Sequence, residues 1–94
     1  MNIYVDIDET ICFYSGKRDY RIAIPHFENI QKINALYEEG HTITYWTARG
    51  TVTKVDWYDI TKQQLHTWKC KYHDLIVGEK PAYDLLIDDK TKRI

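Results

Sequence analysis

The chain has 94 residues, 44% of them hydrophobic, which is enough for one compact core and too little for two. Thirteen basic against fourteen acidic side chains leave a formal net charge of -1, so neither disorder nor a strong pull toward nucleic acid is indicated, although nucleic acid stays possible as a partner. No apolar stretch approaches the ~20 residues needed to span a bilayer, and no basic segment followed by an apolar run forms a leader. Cys12 and Cys70 therefore read as reduced thiols of a cytoplasmic protein with no membrane partner.

In chain order, Ile3 to Val5 form a short apolar, β-branched run that stops at Asp6-Ile7-Asp8-Glu9, the pattern of a buried strand ending at a polar site. Residues 11–14 and 20–24 predict two short strands around the turn-like Ser15-Gly16-Lys17-Arg18-Asp19, so residues 11–24 form a small flap hairpin beside the acidic cluster. Pro25 opens a helix with Phe27, Ile30, Ile33 and Tyr37 on its apolar stripe and Gly40 as its stop.

Thr42 to Trp46 return to β-branched and aromatic residues before breaking at Thr47-Ala48-Arg49-Gly50. A second helix is expected with Thr61 as N-cap. Gln64 completes a capping box, Ile60 and Leu65 form a hydrophobic staple, and Leu65, Trp68 and Tyr72 mark the buried face. Leu75 to Val77 and Leu85 to Ile87 are two further strands, the latter ending at Asp88-Asp89.

Strands alternating with helices predict an α/β fold, a compact Rossmann-like parallel sheet of about four strands flanked by helices, as a single domain over residues 1–94. Ligands of such sheets bind beyond the carboxyl ends of the strands, where Asp6, Thr47 and Asp88 fall. Asp6 and Asp8 share one strand end, and carboxylates gathered there call for a hard cation such as Mg²⁺. Lys80 and the Thr47 hydroxyl are then suited to hold phosphate oxygens, since a phosphate dianion repels an attacking carboxylate until metal and lysine neutralise it. Each motif alone has a plainer explanation as a turn, a cap or a solvated strand end. Their consistent order at the ends of successive apolar segments favours the chemical one.

Ile3-Tyr4-Val5-Asp6-Ile7-Asp8-Glu9-Thr10 resembles the first motif of the haloacid dehalogenase (HAD) superfamily, a hydrophobic strand followed by DxDxT. Thr47 resembles the second motif, Lys80 the third, and Asp88-Asp89 the fourth in its DD form. Thr47-Ala48-Arg49 and Gly78-Glu79-Lys80-Pro81 are most similar to small capless members described as capsule or polysaccharide biosynthesis phosphatases.

The resemblance implies a HAD-type fold without a cap domain, and Asp6 as a nucleophile that is transiently phosphorylated. Asp8 would act as acid and then base. It implies Mg²⁺ held by the Asp6 carboxylate, the Asp8 main-chain carbonyl and Asp88, with Asp89 close by or in the outer shell. A sugar phosphate or other small phosphorylated metabolite is the expected substrate, a polynucleotide 3′-phosphate a less favoured one. Thr10, Arg18 and Arg49, with Lys17 and Arg21, are candidate substrate contacts, each equally readable as ordinary surface charge or polarity.

The short chain after the fourth motif leaves a sheet edge for a second copy to cover, so a homo-oligomer is expected. Tyr14, Tyr20, Trp46 and Trp57 read as packing rather than a stacking platform. His26, His41, His66 and His73 share no spacing that supports a histidine base or metal site. A signalling receiver domain fits poorly, because the third apolar run ends at Val77-Gly78-Glu79 without an acceptor Asp. A catalytically weak module that keeps the fold as a binding scaffold is the alternative function.

Overall fold

The computed structural model describes residues 1–50, 56–78 and 85–87. Lys80, Asp88 and Asp89, three of the residues on which the expected chemistry rests, lie outside the described residues.

The sheet is parallel. Its strands are β1 (Asn2–Asp6), β4 (Thr42–Thr47), β5 (Asp74–Val77) and the short β6 (Leu85–Ile87), in the order β5-β4-β1-β6. Two helices lie between strands, α1 (Phe27–Glu38) between β1 and β4 and α2 (Tyr58–Thr67) between β4 and β5. Asp6 lies level with Trp46, so the polar ends of β1 and β4 emerge side by side.

Burial explains the apolar runs. Ile3, Val5, Ile7, Ile11, Ile43 and Tyr45 are buried with Ile30 and Ile33 of α1, Leu65 of α2, and Trp68 and Leu75. β-Branched residues dominate because their stiff side chains pack well on a pleated surface covered by helices.

The segment between β1 and α1 departs from a full hairpin. Its ladder is two residues on each side, β2 (Cys12–Phe13) antiparallel to β3 (Ile24–Pro25). Residues Tyr20–Ile22, expected as strand, form a single 3-10 turn, because the Asp19 carboxylate accepts from Arg21 N and captures the backbone locally. Pro25 belongs to β3, and His26 caps α1 by accepting Asn29 N–H on Nδ1. Phe27, expected in the buried stripe, is 54% exposed, whereas Ile30 and Ile33 are buried. Gly40, at φ +99, ends the helix as expected.

The start of α2 also differs. Trp57 stands at its N-cap, Asp56 accepts from Tyr58 N, and Thr61 lies inside the helix, fully buried. No capping box forms there, because Thr61 and Gln64 both accept hydrogen bonds from Arg49. Ile60 is exposed rather than stapled against the buried Leu65. Cys12 and Cys70 are free thiols, and among the described residues no helix is long and apolar enough to cross a membrane.

Ile43, fully buried in the strand next to β1, gives a direct test of this core. Ile43→Ala is expected to lower unfolding free energy by about 2–5 kcal/mol in urea titration, and a loss within experimental error would show that the sheet is not packed as described.

Candidate functional site

At the carboxyl ends of β1 and β4 lies a cleft of about 220 Å³ lined by Asp6, Asp8, Glu9, Arg18, Tyr20, Trp46, Thr47, Ala48 and Arg49. Two larger hollows lie along α2, but neither contains a carboxylate pair at a strand end.

A tight turn brings Asp6 and Asp8 to this cleft. After β1 the chain curls so that Thr10 N and Ile11 N both donate to the Ile7 carbonyl. Glu9 takes the left-handed conformation at φ 66, and its N–H donates to Cys12 O at 2.9 Å. Asp6 stays on the strand, and Asp8 is turned across to the end of β4.

There Asp8 is enclosed by donors. Its Oδ1 accepts from Tyr14 Oη at 2.6 Å and Arg49 Nη2 at 2.8 Å, with the Cys12 thiol at 3.5 Å. Its Oδ2 accepts from Thr47 Oγ1 and Arg49 Nε, both at 3.1 Å. The guanidinium thus pairs with the carboxylate through two parallel N–H groups, a geometry that fixes orientation as well as charge. Both side chains are out of water, at 0% and 10% exposure for Arg49 and Asp8.

Burial by itself raises the Asp8 carboxyl, but the hydrogen bonds and charge of Arg49, joined by Tyr14 and Thr47, outweigh it and leave it below the ordinary carboxylate value. The same burial and the neighbouring carboxylate push the Cys12 thiol up to about 12, so it stays a protonated, unreactive thiol. Tyr14 is likewise raised and remains a hydroxyl donor.

Of the expected site residues, Asp6, Asp8, Thr47, Arg18 and Arg49 come together at the cleft. Thr47 gives its hydroxyl proton to Asp8 and accepts from Arg49 N. Arg18 is on the exposed rim, paired with Glu9 at 2.6 Å and set over the Tyr14 ring. Thr10 departs from the expectation of a substrate contact. It is buried at 4% exposure behind the turn and does not line the cleft, and its carbonyl accepts from Asn29 Nδ2. Arg49 departs further, since a fully buried guanidinium paired with Asp8 is not surface charge. Arg21 pairs with Asp19 away from the cleft, and Lys17 is exposed.

Tyr14, Tyr20, Gln64 and Thr61 were not expected at the site. Tyr14 and Tyr20 read as hairpin packing, and Thr61-x-x-Gln64 as a cap. The signal available was Arg49 itself, two residues past the end of β4: a buried arginine needs several acceptors, and a Thr and a Gln three apart on one helix face can supply them.

Among the described residues no group of three or more His, Cys, Asp or Glu side chains is gathered tightly enough to hold a metal. The donors that are described suit a hard cation nonetheless. Asp6 offers carboxylate oxygen, and Asp8, whose side chain is occupied by donors, has its main-chain carbonyl to offer.

Comparison with protein-family models and with curated proteins finds no match. The fold is similar to that in the crystal structure of an MCSG target from Vibrio cholerae, with a TM-score of 0.74 and 23% identity over 86% of this chain and 72% of that one. A likeness at that identity establishes the α/β fold alone.

Asp8→Asn leaves the buried Arg49 charge without its counter-charge and is expected to cost about 3–5 kcal/mol. Because the folded carboxyl titrates below its unfolded value of 3.8, its contribution is complete above that pH and is lost as pH falls through the folded value. Urea titrations across pH should therefore show the gap between native chain and variant constant near neutrality and closing in acid. A gap that widens in acid contradicts the pairing.

Proposed function

We propose that the chain is a Mg²⁺-dependent phosphomonoester hydrolase of the HAD type, capless and Rossmann-like, working through an aspartyl-phosphate on Asp6. The observation that carries this reading is the convergence of Asp6 and Asp8, two apart at the end of a central parallel strand, with Thr47 at the end of its neighbour, in one open cleft. The order of motifs, with Lys80 and Asp88-Asp89 completing the set by resemblance, supports it.

Asp6 attacks phosphorus in line with the departing ester oxygen, the P–O ester bond breaks, and an acyl phosphate forms on Asp6. Water then attacks this acyl phosphate, releasing inorganic phosphate and restoring the carboxylate. Asp8, held as a carboxylate beside Thr47 and Arg49, is suited to draw the proton from that water. The proton so gained is the one it gives to the leaving ester oxygen in the next turnover, which returns Asp8 to the carboxylate.

Mg²⁺, held by the Asp6 carboxylate, the Asp8 carbonyl and Asp88 with Asp89 close by, would offset the negative charge on the transferring phosphoryl group. Lys80 adds positive charge for the same purpose. The cleft volume suits a small ester, such as a sugar phosphate or other phosphorylated metabolite, rather than a buried large one.

A second reading is favoured by the same Asp8 contacts. A carboxylate that accepts from Tyr14, Thr47 and both edges of Arg49 resists protonation, which suits a catalytically weak module that retains the site as a scaffold.

Phosphate release from sugar phosphates, nucleotides and p-nitrophenyl phosphate, with and without Mg²⁺, separates the two. The phosphatase reading expects metal-dependent release that falls to background in Asp6→Asn. No release by a folded, Mg²⁺-supplied native chain supports the scaffold.

A further inference from the structure

Arg49 plays no part in the phosphoryl transfer just described, yet it is the most completely engaged side chain at the cleft. Its Nε and Nη2 donate to the two oxygens of Asp8 at 3.1 and 2.8 Å, and Nη2 also reaches Tyr14 Oη at 3.3 Å. Nη1 donates to Thr61 Oγ1 at 3.1 Å and Gln64 Oε1 at 2.6 Å, both on α2. The Tyr20 ring covers one face of the guanidinium, its centroid 4.7 Å from Cζ. A guanidinium carries five N–H donors in a fixed plane, and these acceptors account for the Nε–H and for both hydrogens on each Nη. No donor remains for a substrate phosphate.

We propose that Arg49 is the positioning residue for Asp8, held in place by Thr61 and Gln64 of α2, and that it does not touch substrate; this deepens the phosphatase reading and rests on it. The chain of contacts runs in one direction. α2 fixes Nη1, the rigid plane of the guanidinium carries that constraint to Nε and Nη2, and the paired edge sets the plane of the Asp8 carboxylate. Lysine keeps the charge but has neither the plane nor the fork, so it cannot transmit the constraint.

Three measurements test this. Steady-state kinetics with p-nitrophenyl phosphate and Mg²⁺ should show kcat of Arg49→Lys reduced about 100-fold, the scale of a misplaced catalytic group, with KM unmoved. Thr61→Val, which removes one buried hydroxyl at nearly constant volume, should lower kcat less, again with KM unmoved, and keeps the test open if Arg49→Lys fails to fold. By NMR, the Arg49 Nε–H should exchange slowly in the native chain and rapidly in Asp8→Asn.

A rise in KM with kcat retained in either variant would overturn the proposal, since it would make Arg49 a substrate contact. An active native chain with a rapidly exchanging Nε–H overturns the clamp and leaves the phosphatase reading intact. A slowly exchanging Nε–H in a native chain that releases no phosphate sustains the clamp and sinks the phosphatase reading beneath it.

Discussion

The buried pair of Asp8 and Arg49 is the constraint around which the cleft is arranged. Two charges removed from water stabilise a fold weakly or not at all unless their remaining hydrogen-bonding capacity is met, and here it is met from three elements. Thr47 comes from the end of β4, Tyr14 from the segment after β2, and Thr61 and Gln64 from α2. Displacing any one of these elements would expose or unpair a charge, so the pair ties the relative placement of strand end, loop and helix more tightly than apolar contact alone.

The parallel sheet supplies what this pair cannot. Ile3, Val5 and Ile43 bury the strands, and parallel register makes their polar ends emerge together, with Asp6 level with Trp46. The left-handed turn at Glu9 then separates two carboxylates that are close in sequence. Asp6 remains on the strand, while Asp8 crosses to Arg49. Both carboxylates line the cleft, Asp6 from the strand end and Asp8 with its oxygens held by Arg49, Thr47 and Tyr14, a difference in surroundings that suits the two roles proposed for them.

Much of this was legible in the residues. The β-branched runs at Ile3–Val5 and Thr42–Trp46 name their own strands, since few other structures bury so many stiff side chains in so short a span, and their polar ends mark the cleft. What escaped depended on partners distant in the chain. Thr61 and Gln64 have the spacing of a capping box, and only the arrival of Arg49 from another element shows that they face inward. Residues 20–24 have strand-like composition, but Asp19 captures Arg21 N and closes a 3-10 turn first. Arg49 read equally as a substrate contact or as solvated surface charge, because arginine is usually exposed; its burial follows from acceptors that local sequence does not place beside it.

The proposed reaction requires that Asp6 become covalently phosphorylated in the cleft that this pair shapes. Borohydride added during turnover of a phosphate ester reduces an aspartyl-phosphate to homoserine, and mass spectrometry of the digested protein then locates the reduced residue. Homoserine at position 6, dependent on Mg²⁺ and on substrate, is the expected result. Steady turnover with position 6 unmodified would contradict it.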